Sequence, residues 1–133
     1  MNNFIASLRR QMPEGADLPD EHVIQMATSA GEVTFIIPER EPETVICRAA
    51  VGPIADIPDP DAFLRDALAG NRFWSATGGA TLSLGTDETL YLTARYEDWQ
   101  FADETAIGTV LASFTDVLAT WRRMLEFVRG GVK

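Results

Sequence analysis

Two side chains in this sequence could take part in nucleophilic or metal chemistry: the single histidine, His22, and the single cysteine, Cys47. A thiolate activated by an imidazole can act as a nucleophile, and both side chains can bind zinc. The chain contains no second histidine or cysteine to complete a ligand set. A Cys–His pair would therefore require adjacent strands to bring the two together. We expect Cys47, which follows Val45 and Ile46, to pack as a small buried residue instead.

Paired acids and paired glycines also occur, but simpler structural roles account for both. Asp59 and Asp61 resemble half of a carboxylate site, yet Asp59 precedes Pro60, a combination typical of a helix N-terminus. Gly78-Gly79 could suggest a phosphate-binding loop, but it precedes a strand pattern, and no Lys-Ser or Lys-Thr pair follows it. We therefore predict no catalytic, cofactor-binding or metal-binding residues in this chain.

The composition is that of an acidic globular protein. The 133 residues are 46% hydrophobic and 23% charged, with a formal net charge of -9 at pH 7, so we expect one domain over residues 1–133. A surface this acidic disfavours nucleic acid as a partner, and no apolar run reaches the length of a transmembrane helix. A single cysteine permits no internal disulfide, and the N-terminal apolar run is too short for a signal peptide. We expect a cytoplasmic protein without membrane insertion.

The first half of the chain predicts a helix followed by an antiparallel meander. Asn2 or Asn3 can cap a short helix that Pro13 and Gly15 end. Three segments rich in Val, Ile, Thr and Phe are predicted strands: His22–Thr28, Glu32–Ile37 and Thr44–Val51. Short links make consecutive strands antiparallel neighbours. The strand that opens the meander is the predicted edge of the sheet.

The second half predicts a helix, a hairpin and a long closing helix. Asp59 precedes a helix whose apolar face carries Phe63, Leu64, Ala67 and Leu68. Apolar and polar residues alternate on both sides of Gly85–Glu88, the pattern of a hairpin with one buried face. From Asp103 to Val128, apolar residues recur at spacings of three and four, the strongest helical signal in the chain. The predicted fold is α+β, a twisted antiparallel β-sheet with helices packed on it, in the order α-β-β-β-α-β-β-α.

This order and the segment from Leu68 to Leu84 resemble the class I type III secretion chaperones, small acidic cytoplasmic proteins related to the Tir chaperone. The pattern is a helix ending in Leu68-Ala69-Gly70-Asn71, a turn with Gly78-Gly79, and the Leu-Ser-Leu strand ending at Leu84. A second strand and a long helix follow, with Phe114 and Trp121 matching the family. The resemblance implies a non-enzymatic homodimer that needs no cofactor, binds the N-terminal segment of a secreted effector protein, and keeps it secretion-competent.

The resemblance also implies two contact surfaces. The family's dimer contact uses the second helix and the strand after it, which implies the interface residues Phe63, Leu64, Ala67, Leu68, Leu82 and Leu84. Phe73 and Trp74 follow this helix, and their apolar surface exceeds what one small sheet covers, so we add both to the predicted interface. The family holds the effector extended, with apolar side chains in grooves. An exposed sheet edge beside an apolar helix suits such a peptide. We predict an effector-binding set of Phe4, Ile5, Leu8, Ile24, Met26, Val33, Phe35 and Ile37. Because strand faces alternate, the first strand presents either Val23/Gln25/Ala27 or Ile24/Met26/Thr28, and we favour Ile24 and Met26.

Two other interpretations stay open from the sequence. One is a small enzyme that uses His22, Cys47 or paired acids. The other is a relative of the same fold that binds a different protein partner. Fold alone does not fix function. A neighbouring gene for a larger secreted protein would favour the chaperone interpretation.

Overall fold

The computed structural model describes residues 3–12, 21–72 and 79–130 of the chain. The helices and strands in these residues are α1 Asn3–Gln11, β1 Val23–Thr28, β2 Gly31–Ile36, β3 Thr44–Pro53, α2 Pro60–Asn71, β4 Thr81–Leu84, β5 Thr89–Glu97 and α3 Ala106–Arg129. A turn of 3₁₀ helix, Asp98–Phe101, connects β5 to α3 where the sequence predicts a plain link. The predicted α+β class and the predicted element order are confirmed.

The five strands form one antiparallel sheet in the order β1-β2-β3-β5-β4. The meander β1–β2–β3 and the hairpin β4–β5 are both as predicted, and β1 lies at an edge. The long strand β5 joins the two units by pairing with β3 over most of its length. Ile24, Phe35, Cys47 and Ala94 follow one another across four strands, which places them on one face of the sheet.

The core lies between this face and the helices. Phe4 of α1 is fully buried, with its ring centroid 4.8 Å from that of Phe35 and 4.9 Å from that of Phe101. Trp121 of α3 is buried at the other end, 6.1 Å from Phe63 of α2. The opposite face of the sheet carries exposed side chains such as Arg48 and Arg95, so the described helices cover only one face.

A distant carboxylate, rather than a local residue, caps α1. Asn3, one of the two predicted caps, is the first residue of the helix, and Asn2 lies outside the described residues. The backbone N–H groups of Asn3 and Phe4 donate to the carboxylate of Asp98 at 2.7 and 2.9 Å. The backbone N–H of Asp98 in turn donates to the carbonyl of Glu43 at 2.7 Å. Asp98 therefore ties α1 to the end of the sheet.

Two boundaries differ from prediction for identifiable reasons. β3 continues past Val51 through a bulge between Ala50 and Gly52. Gly52 has φ +152°, and a Cβ there would lie 2.7 Å from Leu125 of α3, so the strand and helix approach closely. α3 begins at Ala106 rather than Asp103, because the Asp103 carboxylate accepts the backbone N–H of Thr105 at 2.9 Å in a local turn.

Candidate functional site

His22 and Cys47 lie on different strands and do not meet. His22 precedes β1, and its Nδ1 lies 3.0 Å from the carbonyl oxygen of Ile37. Cys47 lies on β3 between Phe35 and Ala94, so strand β2 separates it from β1. Neighbouring strands are about 4.8 Å apart, and two such steps exceed hydrogen-bond reach. The two side chains therefore cannot form a nucleophile–base pair in this structure.

The environment of Cys47 also disfavours a thiolate. Its side chain is fully buried, and burial raises the pKa of the thiol to about 12. A nucleophilic or metal-binding cysteine needs the opposite, a pKa lowered by a nearby positive charge. Within residues 3–12, 21–72 and 79–130, acidic, histidine and cysteine side chains do not gather into any group that could hold a metal ion.

The paired acids lie at the N-terminus of α2, and the described glycine of the pair lies shortly before β4. Asp59 caps α2, since its carboxylate accepts the backbone N–H of Ala62 at 3.0 Å and Pro60 occupies the first turn. Asp61 is exposed in that same turn, where its negative charge interacts favourably with the helix dipole. Gly79 has φ +97° two residues before β4, and Gly78 lies outside the described residues.

Seven of the eight predicted effector-binding residues lie in the core of the chain itself. Phe4, Ile5, Leu8, Ile24, Val33, Phe35 and Ile37 are each at most 7% exposed. Met26 is half-buried and packs against the same cluster. The favoured set Ile24/Met26 therefore lies on the helix-covered side of β1, and Val23, Gln25 and Ala27 face outward. Effector contact by these eight residues stays a prediction.

The backbone of β1 presents a regular row of polar groups along its outer edge. The N–H of Ile37 donates to the carbonyl of His22 at 2.9 Å, which fixes the phase of the β1–β2 ladder. Because bonding alternates in an antiparallel pair, Ile24 and Met26 also direct their backbone groups toward β2. The N–H and C=O groups of Val23, Gln25 and Ala27 consequently point away from the sheet. Within the described part of the chain, no strand pairs with this side.

The opposite edge, on β4, is partly closed by a side chain. The N–H of Gly85 donates to the carbonyl of Thr89, so Leu82 of β4 directs its backbone groups away from β5. The amide of Asn71, the last residue of α2, donates to the Leu82 carbonyl and accepts from its N–H, both at 2.8 Å. This pair of bonds occupies the middle of the four-residue strand β4. The two edges of the sheet therefore differ in accessibility.

Apolar side chains continue from the β1 edge onto the open face of the sheet. Val23, Ile36 and Ile46 are aligned partners on β1, β2 and β3, and Arg95 of β5 ends the row. Val23 is 46% exposed, and the two isoleucines are half-buried. A strand added beside β1 would meet this row on one side and Met26 on the other, because its side chains alternate between the two faces.

The predicted dimer residues divide into a buried group and an exposed group. Phe63, Ala67 and Leu82 are at most 4% exposed and pack inside the chain. Leu64 is half-buried, whereas Leu68 is 69% exposed and Leu84 is 47% exposed. Phe73 and Trp74 lie outside the described residues. Leu68 on α2 and Leu84 on β4 therefore keep the apolar surface that a second copy could cover.

In the described part of the chain, three large exposed apolar side chains besides Val23 were not among the predicted contact residues. Trp99 of the 3₁₀ turn is 72% exposed, and Met124 and Phe127 of α3 are 40% and 73% exposed. Phe127 departs from the three-and-four spacing of the core residues of α3, and this departure is the signal in the sequence that could have identified it.

Solved structures of other proteins share this fold. In the crystal structure of the ExsC–ExsE complex, the matched chain is 19% identical, with 91% of this chain and 88% of that chain covered and a TM-score of 0.69. The Yersinia pestis type III secretion chaperone SycH, in complex with a fragment of YscM2, is 16% identical, with coverages of 90% and 96% and a TM-score of 0.64. In the HopA1–SchA chaperone–effector complex, the matched chain is 18% identical, with 92% of this chain and 89% of that chain covered and a TM-score of 0.61. At these identities the similarity establishes the fold.

Sequence comparisons assign the family. A search of curated protein sequences finds no significant match. In the described residues, no helix combines the length and apolar character needed to cross a membrane. The profile of the Tir chaperone protein (CesT) family matches residues 5–122, nearly the whole chain. With the antiparallel sheet and the helices in the order found here, this match leads to one conclusion: the chain belongs to the Tir chaperone protein (CesT) family.

Proposed function

We propose that this protein is a chaperone that binds the N-terminal segment of a secreted effector protein and keeps that segment competent for type III secretion. The observation that carries this proposal is the family match over residues 5–122. The shared fold supports it, because related structures were solved as complexes of a chaperone with a bound effector or protein fragment. The chaperone acts in the cytoplasm, where an effector waits before export.

Binding, rather than catalysis, fits the chemistry of the described residues. The buried Cys47 thiol is held neutral by its raised pKa, and β2 separates it from the strand that His22 precedes. Asp59 is engaged in capping α2. A nucleophile, a base and an oxyanion site must lie within hydrogen-bond reach of one another in an active site. The proposed chaperone therefore works without a catalytic step or a cofactor.

The effector segment pairs with the outer edge of β1 in this proposal. Val23, Gln25 and Ala27 offer main-chain groups there, and an extended peptide gains affinity from such groups and specificity from side-chain contacts. Val23 and Met26, on the two sides of the strand, provide apolar contacts without rearrangement of the core. The β4 edge is less suited because the Asn71 amide already occupies Leu82.

The protein acts as a homodimer in this proposal, with α2 and β4 at the contact. Leu68 and Leu84 are the exposed apolar residues of these elements, and Leu64 lies one helical turn from Leu68. Leu68→Asp tests the contact better than Phe63→Asp, because a charge at the buried Phe63 would disrupt the chain itself. Light scattering after gel filtration measures the mass, and a parent protein that stays monomeric at micromolar concentrations would refute the dimer.

Where a gene for a larger secreted protein lies beside the gene for this chain, co-expression of the two proteins tests the chaperone function. The two proteins are expected to co-purify, and deletion of the N-terminal segment of the secreted protein is expected to abolish capture. Capture that survives this deletion would contradict the proposed mode of binding. Failure of every neighbouring secreted protein to co-purify would contradict the chaperone function itself.

A proline substitution tests the β1 edge separately. The Gln25 N–H points away from β2, so Gln25→Pro removes no hydrogen bond of the sheet, and proline is tolerated at such edge positions. We expect effector affinity to fall about tenfold, since one main-chain hydrogen bond is lost and the ring obstructs the added strand. Gln25→Thr is the matched control, because it changes the same side chain but keeps the N–H. Equal affinities for both variants would place the effector elsewhere.

A further inference from the structure

A side chain of α3 attaches the turn between β1 and β2 to the rest of the chain. Nη1 of Arg122 donates a hydrogen bond to the carbonyl oxygen of Ala30 in this turn, although the two residues are 92 positions apart. The guanidinium group also lies directly against Gly31, which has φ +124°, and a Cβ at that position would overlap it. Glycine at position 31 therefore permits both the backbone conformation of the turn and the close approach of Arg122.

Hydrogen bonds inside this turn fix its shape but not its position relative to the helices. Thr28 and Gly31 are the last paired residues of the β1–β2 ladder. The Oγ1 of Thr28 donates to the carbonyl of Gly31 at 2.6 Å and accepts the N–H of Ala30 at 3.2 Å. The turn is thus ordered by its own residues, and the bond from Arg122 holds it against α3.

A second arginine of α3 makes the same kind of bond at the same end of the sheet. Nη2 of Arg129 donates to the carbonyl of Pro53, the last residue of β3, at 2.7 Å. Arg122 and Arg129 are seven positions apart, about two helical turns, so they lie on the same side of α3. β1 and β3 run in the same direction, so both strands end on that side, and α3 holds both ends through main-chain carbonyls.

The burial of β1 decreases toward the turn. Ile24 is 6% exposed, whereas Met26 and Thr28 are half-buried. A segment with few buried apolar contacts opens locally more easily than the rest of a fold. Within the described part of the chain, β1 is also bonded to a strand on one side only. The bond from Arg122 therefore acts on the half of β1 that packing stabilises least.

We propose that Arg122 is a positioning residue for effector binding, which holds the second half of β1 in place before the effector segment arrives. This inference rests on the proposed addition of the effector to the β1 edge. The outward main-chain groups of Gln25 and Ala27 lie near this half of the strand, and their spacing must match that of the added strand. A loosened edge binds only through the fraction of molecules in which it is ordered, so the apparent affinity falls with that fraction.

Arg122→Ala tests the inference, and Arg123→Ala is its matched control. Arg123 is the next residue of α3, is also exposed, and donates a hydrogen bond to Thr120 of the same helix. The probe is a synthetic peptide with the N-terminal sequence of the secreted protein that co-purifies with this chain. We expect the dissociation constant to rise about fivefold for Arg122→Ala, the size of effect typical of one hydrogen bond, and less than about twofold for Arg123→Ala. An unchanged dissociation constant for a folded Arg122→Ala protein would overturn the inference.

Binding kinetics distinguish positioning from direct contact with the effector. If Arg122 orders the edge before binding, Arg122→Ala should mainly lower the apparent association rate. Loss of a direct contact would instead raise the dissociation rate. Arg122→Lys keeps a donor that can reach the Ala30 carbonyl, so we expect it to stay within about twofold of the parent protein. A loss confined to the dissociation rate would refute the positioning role.

Hydrogen exchange in the free protein provides a second test that needs no ligand. The N–H groups of Met26 and Thr28 point toward β2, and we expect them to exchange about fivefold faster in Arg122→Ala than in the parent protein. The amides of β5 should exchange at the parental rate in the same variant. Unchanged exchange at Met26 and Thr28 would overturn the inference. Faster exchange with unchanged peptide affinity would also overturn it, because the turn would then be held without any effect on binding.

Combination with Gln25→Pro separates this inference from the proposed function. If both substitutions act at the β1 edge, adding Arg122→Ala to Gln25→Pro should weaken binding by less than about twofold more. A full additional fivefold loss would show that Arg122 acts away from this edge and would overturn the inference, while the chaperone function would stand. A parent protein that captures no secreted protein would instead contradict the chaperone function, and the positioning role would fall with it.

Discussion

Removal of the Asp98 side chain is expected to destabilise this fold, because Asp98 caps α1 from the far end of the sheet. It is 7% exposed, and its carboxylate accepts the backbone N–H groups of Asn3 and Phe4 at 2.7 and 2.9 Å. The nine-residue α1 depends on tertiary support, because isolated helices of this length are marginal in water. The Asp98 bonds also hold Phe4 in the core, where it contacts Phe35 and Phe101.

The magnitude follows from the two bonds. An ordinary N-cap substitution costs about 0.5–2 kcal/mol, and a hydrogen bond to a charged group contributes about 1.5–3 kcal/mol. Asp98→Ala leaves two N–H groups without their acceptor, that of Asn3 at a part-buried position and that of Phe4 at a buried one. We therefore expect the free energy of unfolding to fall by about 2–4 kcal/mol. Asp98→Asn keeps one acceptor oxygen of similar position, so it should lose about half as much.

Urea unfolding followed by circular dichroism measures the free energy, and hydrogen exchange of the α1 amides shows where protection is lost. Asp116→Ala, an exposed position on α3, is the control and should change stability by less than about 0.5 kcal/mol. A similarly small loss for Asp98→Ala, with α1 amides still protected, would show that the helix does not depend on this cap.

Two further predictions concern the hairpin and the buried cysteine. Glu88 has φ +59°, a left-handed conformation that glycine adopts more easily than other residues. Glu88→Gly should therefore raise the free energy of unfolding by up to about 1 kcal/mol, whereas Glu88→Ala should not raise it. Burial raises the pKa of the Cys47 thiol from 9.0 to about 12. As the pH rises from 9 to 12, the thiol ionises in the unfolded chain but stays protonated in the folded one. The contribution of Cys47 to the free energy of unfolding is therefore complete below pH 9 and is lost as the pH approaches 12. Cys47→Ala should reduce the pH dependence of the free energy of unfolding in this window. An unchanged slope of that free energy against pH would contradict the burial of the thiol.

The sequence by itself determined the elements whose signals are local. The cap of α2 joins residues three apart, Asp59 and Ala62, and can be inferred from the order Asp-Pro. Alternation around Gly85–Glu88 predicts the hairpin because a strand exposes every second residue to one face. The three-and-four spacing likewise predicts α3 and its buried side. The resemblance to the chaperone family uses these same elements in order.

Only the tertiary structure decided which segment of the chain covers each apolar face. Periodicity identifies Phe4, Ile24 and Phe35 as apolar positions but does not distinguish a groove for an effector from a core that α1 already fills. The adjacent aromatics Trp99 and Phe101 illustrate the same limit, since one is 72% exposed and the other fully buried.

The long-range hydrogen bonds could not be predicted from the sequence either. The α1 cap joins residues 95 positions apart, and no local pattern encodes that distance. The same is true of Asn71, whose amide closes the β4 edge at Leu82 only because α2 ends beside that strand. Local patterns reflect interactions between near neighbours in the chain, whereas the accessibility of an edge or a groove depends on which distant segments fold against it.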